Sequence, residues 1–518
     1  MPDLPEGQNS DGRDANGDDD FDESLDADLD ELETLEDFEV DFNTLGLPVG
    51  DGDSGDDDDD ETDPELEAVL DDVEYAADAE RVAEELMARI GESAPQPRLE
   101  PTRRAVELLG DPQRAYPIIH ITGTNGKTST SRITESILRA YGLRTGLMTS
   151  PHLQRLNERI VIDGAPIGNR ALASNWDDIQ PFLLMVDAEL AAAGEPELTF
   201  FETLTVLAYA CFADAPIDVA VVEVGMGGEW DSTNVADGQV AVFTPIALDH
   251  THRLGSTIAE IATTKAGIVK PLAAVVSATQ TPDALAAIER AVDLTESTLG
   301  VEGDAFAVTA STVAVGGQMI SVRGLAGTYT ELFLPLYGTH QAHNAALAIA
   351  AVESFLGRGT QALVPEIVAE GLASVTSPGR LQLIATEPTV LVDAAHNPHG
   401  AAALAEALGE YFAFDELAIV IGVLEDKDAA GIVAALAPVA TRWFATSSGS
   451  DRALPPEVVA AFTLEVGAQP VESGELPAVL RAARAWASAS DTRAVVVTGS
   501  ITLVGEAMAL IQREEQGE

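Results

Sequence analysis

Short runs of β-branched and aliphatic residues recur along the chain between longer helical stretches: IIHIT (118–122), RTGLMTS (144–150), DVAVVEV (218–224), VAVFTPI (240–246) and AAVVSA (273–278). This alternation predicts a parallel sheet covered by helices, with ligands held at the carboxyl ends of the strands. Residues 81–115 read as helices around the Pro-containing APQPRLEPTRRAVELLGDPQ. A break across residues 351–380, AVESFLGRGTQALVPEIVAEGLASVTSPGR, precedes a second series: TVLVDAA (389–395), LAIVIGV (417–423), RWFATSS (442–448) and AVVVTGS (494–500). The pattern therefore predicts two α/β domains with a cleft between them, the smaller beginning near residue 376. No internal repeat is evident.

The first eighty residues do not share this pattern. They hold 34 acidic residues against the single Arg13, so more than half of the chain's net charge of −59 lies there. Self-repulsion and sparse aromatics leave too little apolar burial to offset ordering entropy, which predicts a disordered acidic tail over residues 1–80. A solubility role suits it better than docking to a basic partner. The remainder is acidic as well, which argues against a nucleic-acid surface, since phosphate contacts need clustered Lys and Arg. No basic-plus-apolar leader and no run near ~18 apolar residues is present, so a soluble, cytoplasmic chain with no membrane partner is expected. The single cysteine, Cys211 in LAYACFADA, reads as a packed core thiol.

Scarcity makes two residue types informative. There are four lysines, Lys127, Lys265, Lys270 and Lys427, against twenty-four arginines. Where a lysine persists, one asks what arginine could not do there. The eight histidines fall in short motifs: His120, His152, His250 with His252, His340 with His343, and His396 with His399.

The segment IIHITGTNGKTST (118–130) sets an apolar run against a Gly-Lys-Thr turn. The strict phosphate-loop pattern G-x-x-x-x-G-K-[ST] fails, because its first position is Ile121. The physics survives the mismatch. Gly123 and Gly126 let backbone N–H groups approach phosphate oxygens, the following helix offers its positive end, Lys127 reaches terminal phosphates, and Thr128 offers a hydroxyl to magnesium. A Gly/Asn turn before a helix is the alternative reading.

ITGTNGKTST resembles the nucleotide loop of the Mur ligase superfamily. Further segments narrow the resemblance to its folylpolyglutamate synthase and dihydrofolate synthase branch, particularly the actinobacterial forms: TSPHLQRLNERI, TFFETLT, VEVGMGGEWDSTN, ALDHTHRLGSTIAEIATTKAGI, HQAHNAALA, SPGRL, DAAHNPHG and VTGS. They run in order along roughly residues 97–505.

The resemblance implies a P-loop ATP-binding domain over residues 81–375 and a Rossmann-like ligase domain over 376–518. It makes Gly123, Thr124, Asn125, Gly126, Lys127, Thr128, Ser129, Asn344, Arg380 and Asp393 nucleotide contacts, and Glu223 and His250 magnesium ligands beside Thr128. Without it, Glu223 also reads as one half of a structural ion pair, and His250 stands beside a capping Asp249. Lys265, in TTKAGI, matches a lysine that the family carbamylates, a chemistry closed to arginine. Ser150, Pro151 and His152 match the loop lining the pterin-side pocket, and His396 stands near the reacting groups. Two departures bear on local charge: Thr264 in place of an acidic neighbour, and Glu229 where the family commonly has arginine.

The expected activity is an ATP- and Mg²⁺-dependent amide ligase, monomeric, in which Lys127, Lys265 and His396 take catalytic roles. Its substrates would be dihydropteroate or folates, L-glutamate and ATP. Two alternatives remain at this point: a Mur-type ligase on a cell-wall precursor, and a nucleotide-dependent regulatory protein.

Overall fold

All five residues of β1 (Ile118–Thr122) are buried, as a central strand covered on both faces requires. The computed structural model describes residues 70–91, 96–468 and 471–516. Around β1 it arranges β2 (Thr145–Met148), β3 (Ile160–Ile162), β4 (Ala165–Pro166), β5 (Val219–Glu223), β6 (Val240–Phe243), β7 (Ala274–Ser277) and β8 (Thr298–Val301). The order is β4-β3-β2-β5-β1-β6-β7-β8. From β2 to β8 all pairings are parallel, and the β3 and β4 edge is antiparallel. The carboxyl ends of β1, β5 and β6 are therefore neighbours, and they carry Gly123, Glu223 and Thr244.

A second sheet, in the order β12-β13-β17-β14-β15-β16, gathers β12 (Gln382–Thr386), β13 (Thr389–Asp393), β14 (Glu416–Ile421), β15 (Arg442–Ala445), β16 (Val471–Ser473) and β17 (Arg493–Thr498). It is parallel except for the β12–β13 hairpin. Among the described residues, no helix is long and apolar enough to cross a membrane.

Between the two sheets in sequence lies an element that parallel alternation does not predict. β9 (Ala307–Ala314), β10 (Gly317–Arg323) and β11 (Thr328–Leu334) form an antiparallel sheet. Its turn signal was present in the Gly316-Gly317 pair, and both glycines have positive φ. This sheet packs on the helix Thr339–Gly357, whose residues from Ala345 to Val352 are all fully buried. Apolar on every side, that helix is a core element. Its Glu353 is also fully buried, and the carboxylate accepts from the amides of Leu325, Ala326 and Gly327 and from the Tyr329 hydroxyl at 2.5–3.2 Å.

The expected tail needs correction at its inner boundary. Residues 1–69 lie outside the described residues, but residues 70–80 belong to the folded body. The helix Ala76–Met87 begins inside the expected tail and buries Ala79, Val82 and Leu86. Its Glu85 accepts from Trp176 Nε1 at 2.8 Å and Gln180 Nε2 at 2.7 Å. The three-to-four spacing of Ala79, Val82 and Leu86 is a helical stripe, which the high acid count concealed.

Replacing Glu353 removes the acceptor of four donors at once, the buried Tyr329 hydroxyl and three part-buried amides. Glu353→Ala is expected to lower unfolding free energy by about 3 kcal/mol, measured by urea denaturation. A loss below about 0.5 kcal/mol would mean that water or local rearrangement satisfies the loop instead.

Candidate active site

The turn after β1 is shaped by two close approaches. Gly123 has φ of +147° and Gly126 has φ of +88°. A Cβ on Gly123 would lie 1.8 Å from Thr244 Oγ1, and one on Gly126 would lie 2.6 Å from Asn344 Oδ1. Only glycine fits either position. Gly126 caps the helix Lys127–Ala140, so that helix's free N–H groups open toward the loop. Lys127 Nζ folds back onto the Thr124 carbonyl at 3.3 Å. Asn344 is held by Gln341 at 3.0 Å. Ser129 turns away toward Ser377 at 3.1 Å and Gln341 at 3.3 Å, tying the helix to the hinge segment.

Beside the helix start, Thr128 Oγ1 lies 3.0 Å from both Glu223 carboxylate oxygens. Burial pushes the Glu223 pKa up, opposed by the Lys127 charge and the Thr128 hydrogen bond. The Ser150 amide also points to Glu223, at 3.4 Å, which brings the Ser150–His152 loop to this corner. His152 Nδ1 accepts from Arg159 Nε at 2.8 Å.

Lys265 is buried and donates to the Gly123 carbonyl at 2.7 Å. Burial, reinforced by the Lys127 charge, brings its pKa down to about 7, so that a substantial share of the amine is neutral near physiological pH. The two departures flank it. Thr264 helps line an open cavity with Arg253, Leu254 and Glu260. Glu229 exposes its side chain, and its amide donates to the Thr264 carbonyl at 2.8 Å.

From the second sheet, the loop after β13 closes over the glycine turn that follows β1. Asn397 Nδ2 donates to Asn125 Oδ1 at 2.9 Å, and Asn125 Nδ2 meets His399 Nδ1 at 3.0 Å. Lys427 reaches Asp249 at 2.9 Å, with both side chains about nine-tenths buried. His396 Nε2 and His250 Nε2 stand 3.8 and 4.0 Å from the same carboxylate. Burial alone would raise the Asp249 pKa, but His250, Lys427 and His396 together hold it well below the usual carboxylate range. Burial lowers both imidazoles to about 4. At neutral pH both rings are therefore uncharged, and Lys427 is the cation that stabilises Asp249. Because a carbonyl only accepts, the 2.9 Å contact to Ala394 O puts the proton of neutral His396 on Nδ1 and leaves the Nε2 lone pair free as a base.

The structure thus unites Thr128 with Glu223 but groups His250 with Asp249, and no cluster of three or more His, Cys, Asp or Glu gathers as a metal cage among the described residues. Asp393 accepts from the Leu381 and Ala395 amides at 2.8 Å each, shaping the backbone next to Arg380. Sequence alone assigns no role to Lys427, Asn397 or His399, and only a capping one to Asp249. The rarity of lysine was the available signal for Lys427.

Lys265 generates a pH prediction. Its pKa falls from an ordinary 10.5 to about 7 on folding, so between these values the unfolded chain binds more protons. Its contribution to stability therefore rises with pH across that window. In CO2-free buffer, the stability of wild type relative to Lys265→Met is expected to climb between about pH 7 and 10.5 in urea titrations, and a flat difference would contradict it.

Two family models match the chain: the Mur ligase middle domain over residues 121–352, and the Mur ligase, glutamate ligase domain over residues 379–501. A dihydrofolate synthase/folylpolyglutamate synthase of Mycobacterium tuberculosis is 43% identical over 449 residues, covering 82% of this chain and 92% of that protein. A folylpolyglutamate synthase of Lacticaseibacillus casei is 37% identical, covering 79% and 94%. The M. tuberculosis folylpolyglutamate synthase complexed with ADP and AMPPCP superposes with a TM-score of 0.80 at 42% identity, over 85% of this chain and 99% of that one. Escherichia coli FolC in complex with DHPP and ADP gives 0.73 at 29% identity, over 84% and 98%.

Proposed function

Because the chain belongs to the dihydrofolate synthase/folylpolyglutamate synthase family of Mur ligases, which are ATP-dependent acid–amino-acid ligases, we propose that it joins L-glutamate to dihydropteroate, to a reduced folate, or to both. The observation that carries this reading is the cross-cleft union of the nucleotide turn with the loop after β13, through Asn125 and Asn397 at 2.9 Å. It joins the turn that precedes Lys127 and Thr128 to the loop that carries His396, and the Lys427–Asp249 pair links the same two sheets. The expected cytoplasmic, monomeric state belongs to the same reading.

In this reading an oxygen of the acyl carboxylate attacks the γ-phosphorus of ATP and ADP leaves. The glutamate amine then attacks the acyl carbon of the resulting acyl phosphate, loses a proton, and phosphate leaves. Lys127 and Arg380 neutralise the transferring phosphoryl group, while the helix start at Lys127 and the glycine turn offer it backbone N–H groups. His396 Nε2 accepts the amine proton. With burial holding that ring near 4, it is a weak base, and Lys427 beside it disfavours the imidazolium further.

Magnesium fits by donor chemistry. Thr128 and Glu223 present hard oxygens converging within 3.0 Å, as the ion prefers, whereas the His250 nitrogen is the poorer donor. When bound, the ion neutralises phosphate charge. Lys265 has the partly neutral amine that addition to CO2 requires. The lone pair of the neutral amine forms the N–C bond as one C–O π bond of CO2 opens onto oxygen, and the nitrogen then releases one proton, leaving a carboxylate-like anion near the phosphates' counter-ions.

Mass analysis of products from ATP, L-glutamate and either dihydropteroate or a tetrahydrofolate tests the reading. A product heavier by one glutamyl unit is expected. ATP hydrolysis without any amide product, or product formation only with a UDP-linked muropeptide, would overturn it. Lys127→Ala should reduce kcat/KM by at least ~10²-fold in a folded protein. Lys265→Arg should be as inactive as Lys265→Ala, since neither forms a carbamate, and full activity of the Arg variant would eliminate that role.

A further inference from the structure

The folded end of the acidic segment is tied to a loop that reaches both α/β sheets. Asp72 lies just ahead of the helix Ala76–Met87, which runs alongside the helix Asn169–Ala193, with Arg81 at 3.0 Å from Asp177 and Arg89 at 3.0 Å from Asp187. These fastenings bring Asp72 to the start of the longer helix. That helix begins after Gly168, which has no side chain to cap it, and Asp72 Oδ1 accepts from the Asn169 amide at 3.0 Å instead. Its cap thus comes from 97 residues away.

Asn169 turns this cap into a junction. The residue is buried, and its side-chain amide is engaged at both ends: Nδ2 donates to the Asp72 carbonyl at 2.6 Å, while Oδ1 accepts from Arg155 Nη2 at 2.8 Å and Asn157 Nδ2 at 3.1 Å. Arg155 also stands 3.7 Å from the Asp72 carboxylate. From Arg155 the loop runs back to Ser150, and Glu158 fixes its backbone by accepting from the amides of Leu153, Gln154 and Arg155 at 2.7–2.9 Å. Its Ser150 amide lies 3.4 Å from Glu223, at the edge of the first sheet. Its other end meets the helix Ile501–Gln516 that packs on the second sheet: Gln154 Nε2 donates to Gln512 Oε1 at 3.2 Å, and a Cβ on Gly505 would lie 2.0 Å from the Leu153 carbonyl. The glycine turn after β1 is held by other groups, Thr244, Asn344 and Lys265.

We propose that Asp72, acting through Asn169, is a positioning residue for the acyl substrate: it holds the loop Ser150–Arg155 in the setting that receives this substrate and leaves the nucleotide seat unchanged. The proposal rests on the ligase reading, which gives Ser150, Pro151 and His152 to the acyl substrate, and adds to it a part for the folded end of the acidic segment. Helix capping and loop positioning can be told apart. Gly168 has φ of −63° and ψ of 154°, an ordinary N-cap conformation, and a Cβ there meets nothing nearer than Asp72 Oδ1 at 3.9 Å. Gly168→Ser supplies a cap of its own but no carboxylate beside Arg155.

The test uses the full chain with Asp72→Ala, Asp72→Ala combined with Gly168→Ser, Asn169→Ala, and Asp72→Ala combined with Asn169→Ala. Melting temperature, kcat and the KM for ATP and for the acyl substrate are measured, with dihydropteroate or a tetrahydrofolate according to which the wild type glutamylates. Asp72→Ala is expected to raise the acyl-substrate KM about threefold or more, with kcat and the ATP KM within about twofold. Adding Gly168→Ser should restore the melting temperature while the acyl-substrate KM stays raised. Asn169→Ala should raise that KM at least as much, and adding Asp72→Ala to it should change it no further, because both act on one path. If Asn169→Ala does not fold, the Asp72 variants decide alone. An acyl-substrate KM that returns with the melting temperature, an equal rise in the ATP KM, or additive effects of the two alanines would overturn the proposal. If wild type forms product and Asp72→Ala equals it, Asp72 loses this role and the ligase reading stands. If wild type glutamylates no folate, the ligase reading itself fails and the Asp72 role goes with it.

Discussion

The turn between β1 and the helix at Lys127 has no room for a side chain at Gly123 or Gly126, and the rest of the site is measured from it. Thr244 at the end of β6 closes on Gly123, and Asn344 of the core helix closes on Gly126. Lys265 pins the Gly123 carbonyl from a third direction. Three elements far apart in sequence are thereby held at set distances from one phosphate-sized loop. The parallel order of β5, β1 and β6 makes this possible, because it ends all three strands at the same edge.

Charge is distributed sparingly around that edge. In a chain with net charge −59, three of the four lysines, Lys127, Lys265 and Lys427, stand at the cleft. The fourth, Lys270, donates to the Asn234 carbonyl at 2.9 Å in a structural role. Lys427 and Asp249 join the two α/β sheets by a largely buried ion pair. Such a pair confers geometric specificity more than stability, because desolvation offsets much of the Coulomb gain. Its position fits a contact that sets how the two edges face one another.

The sequence by itself determined the central strands of the two parallel sheets and the glycine turn after β1, because these follow from local periodicity and from glycine chemistry within a few residues, but not the antiparallel sheet β9–β11. Its local composition also misled at one boundary: acid count assigned residues 70–80 to a tail, although the spacing of Ala79, Val82 and Leu86 marks a buried helical face. What only the tertiary structure decided is which distant groups meet. Thr128 meets Glu223 across 95 residues, Asn125 meets Asn397 across 272, and Asp249 meets Lys427 across 178. The grouping of His250 with Asp249, the clamp role of Asp393 and the meeting of Asp72 with Asn169 belong to the same class. No local pattern encodes them, since each depends on strand order and on which side chain reaches a donor first.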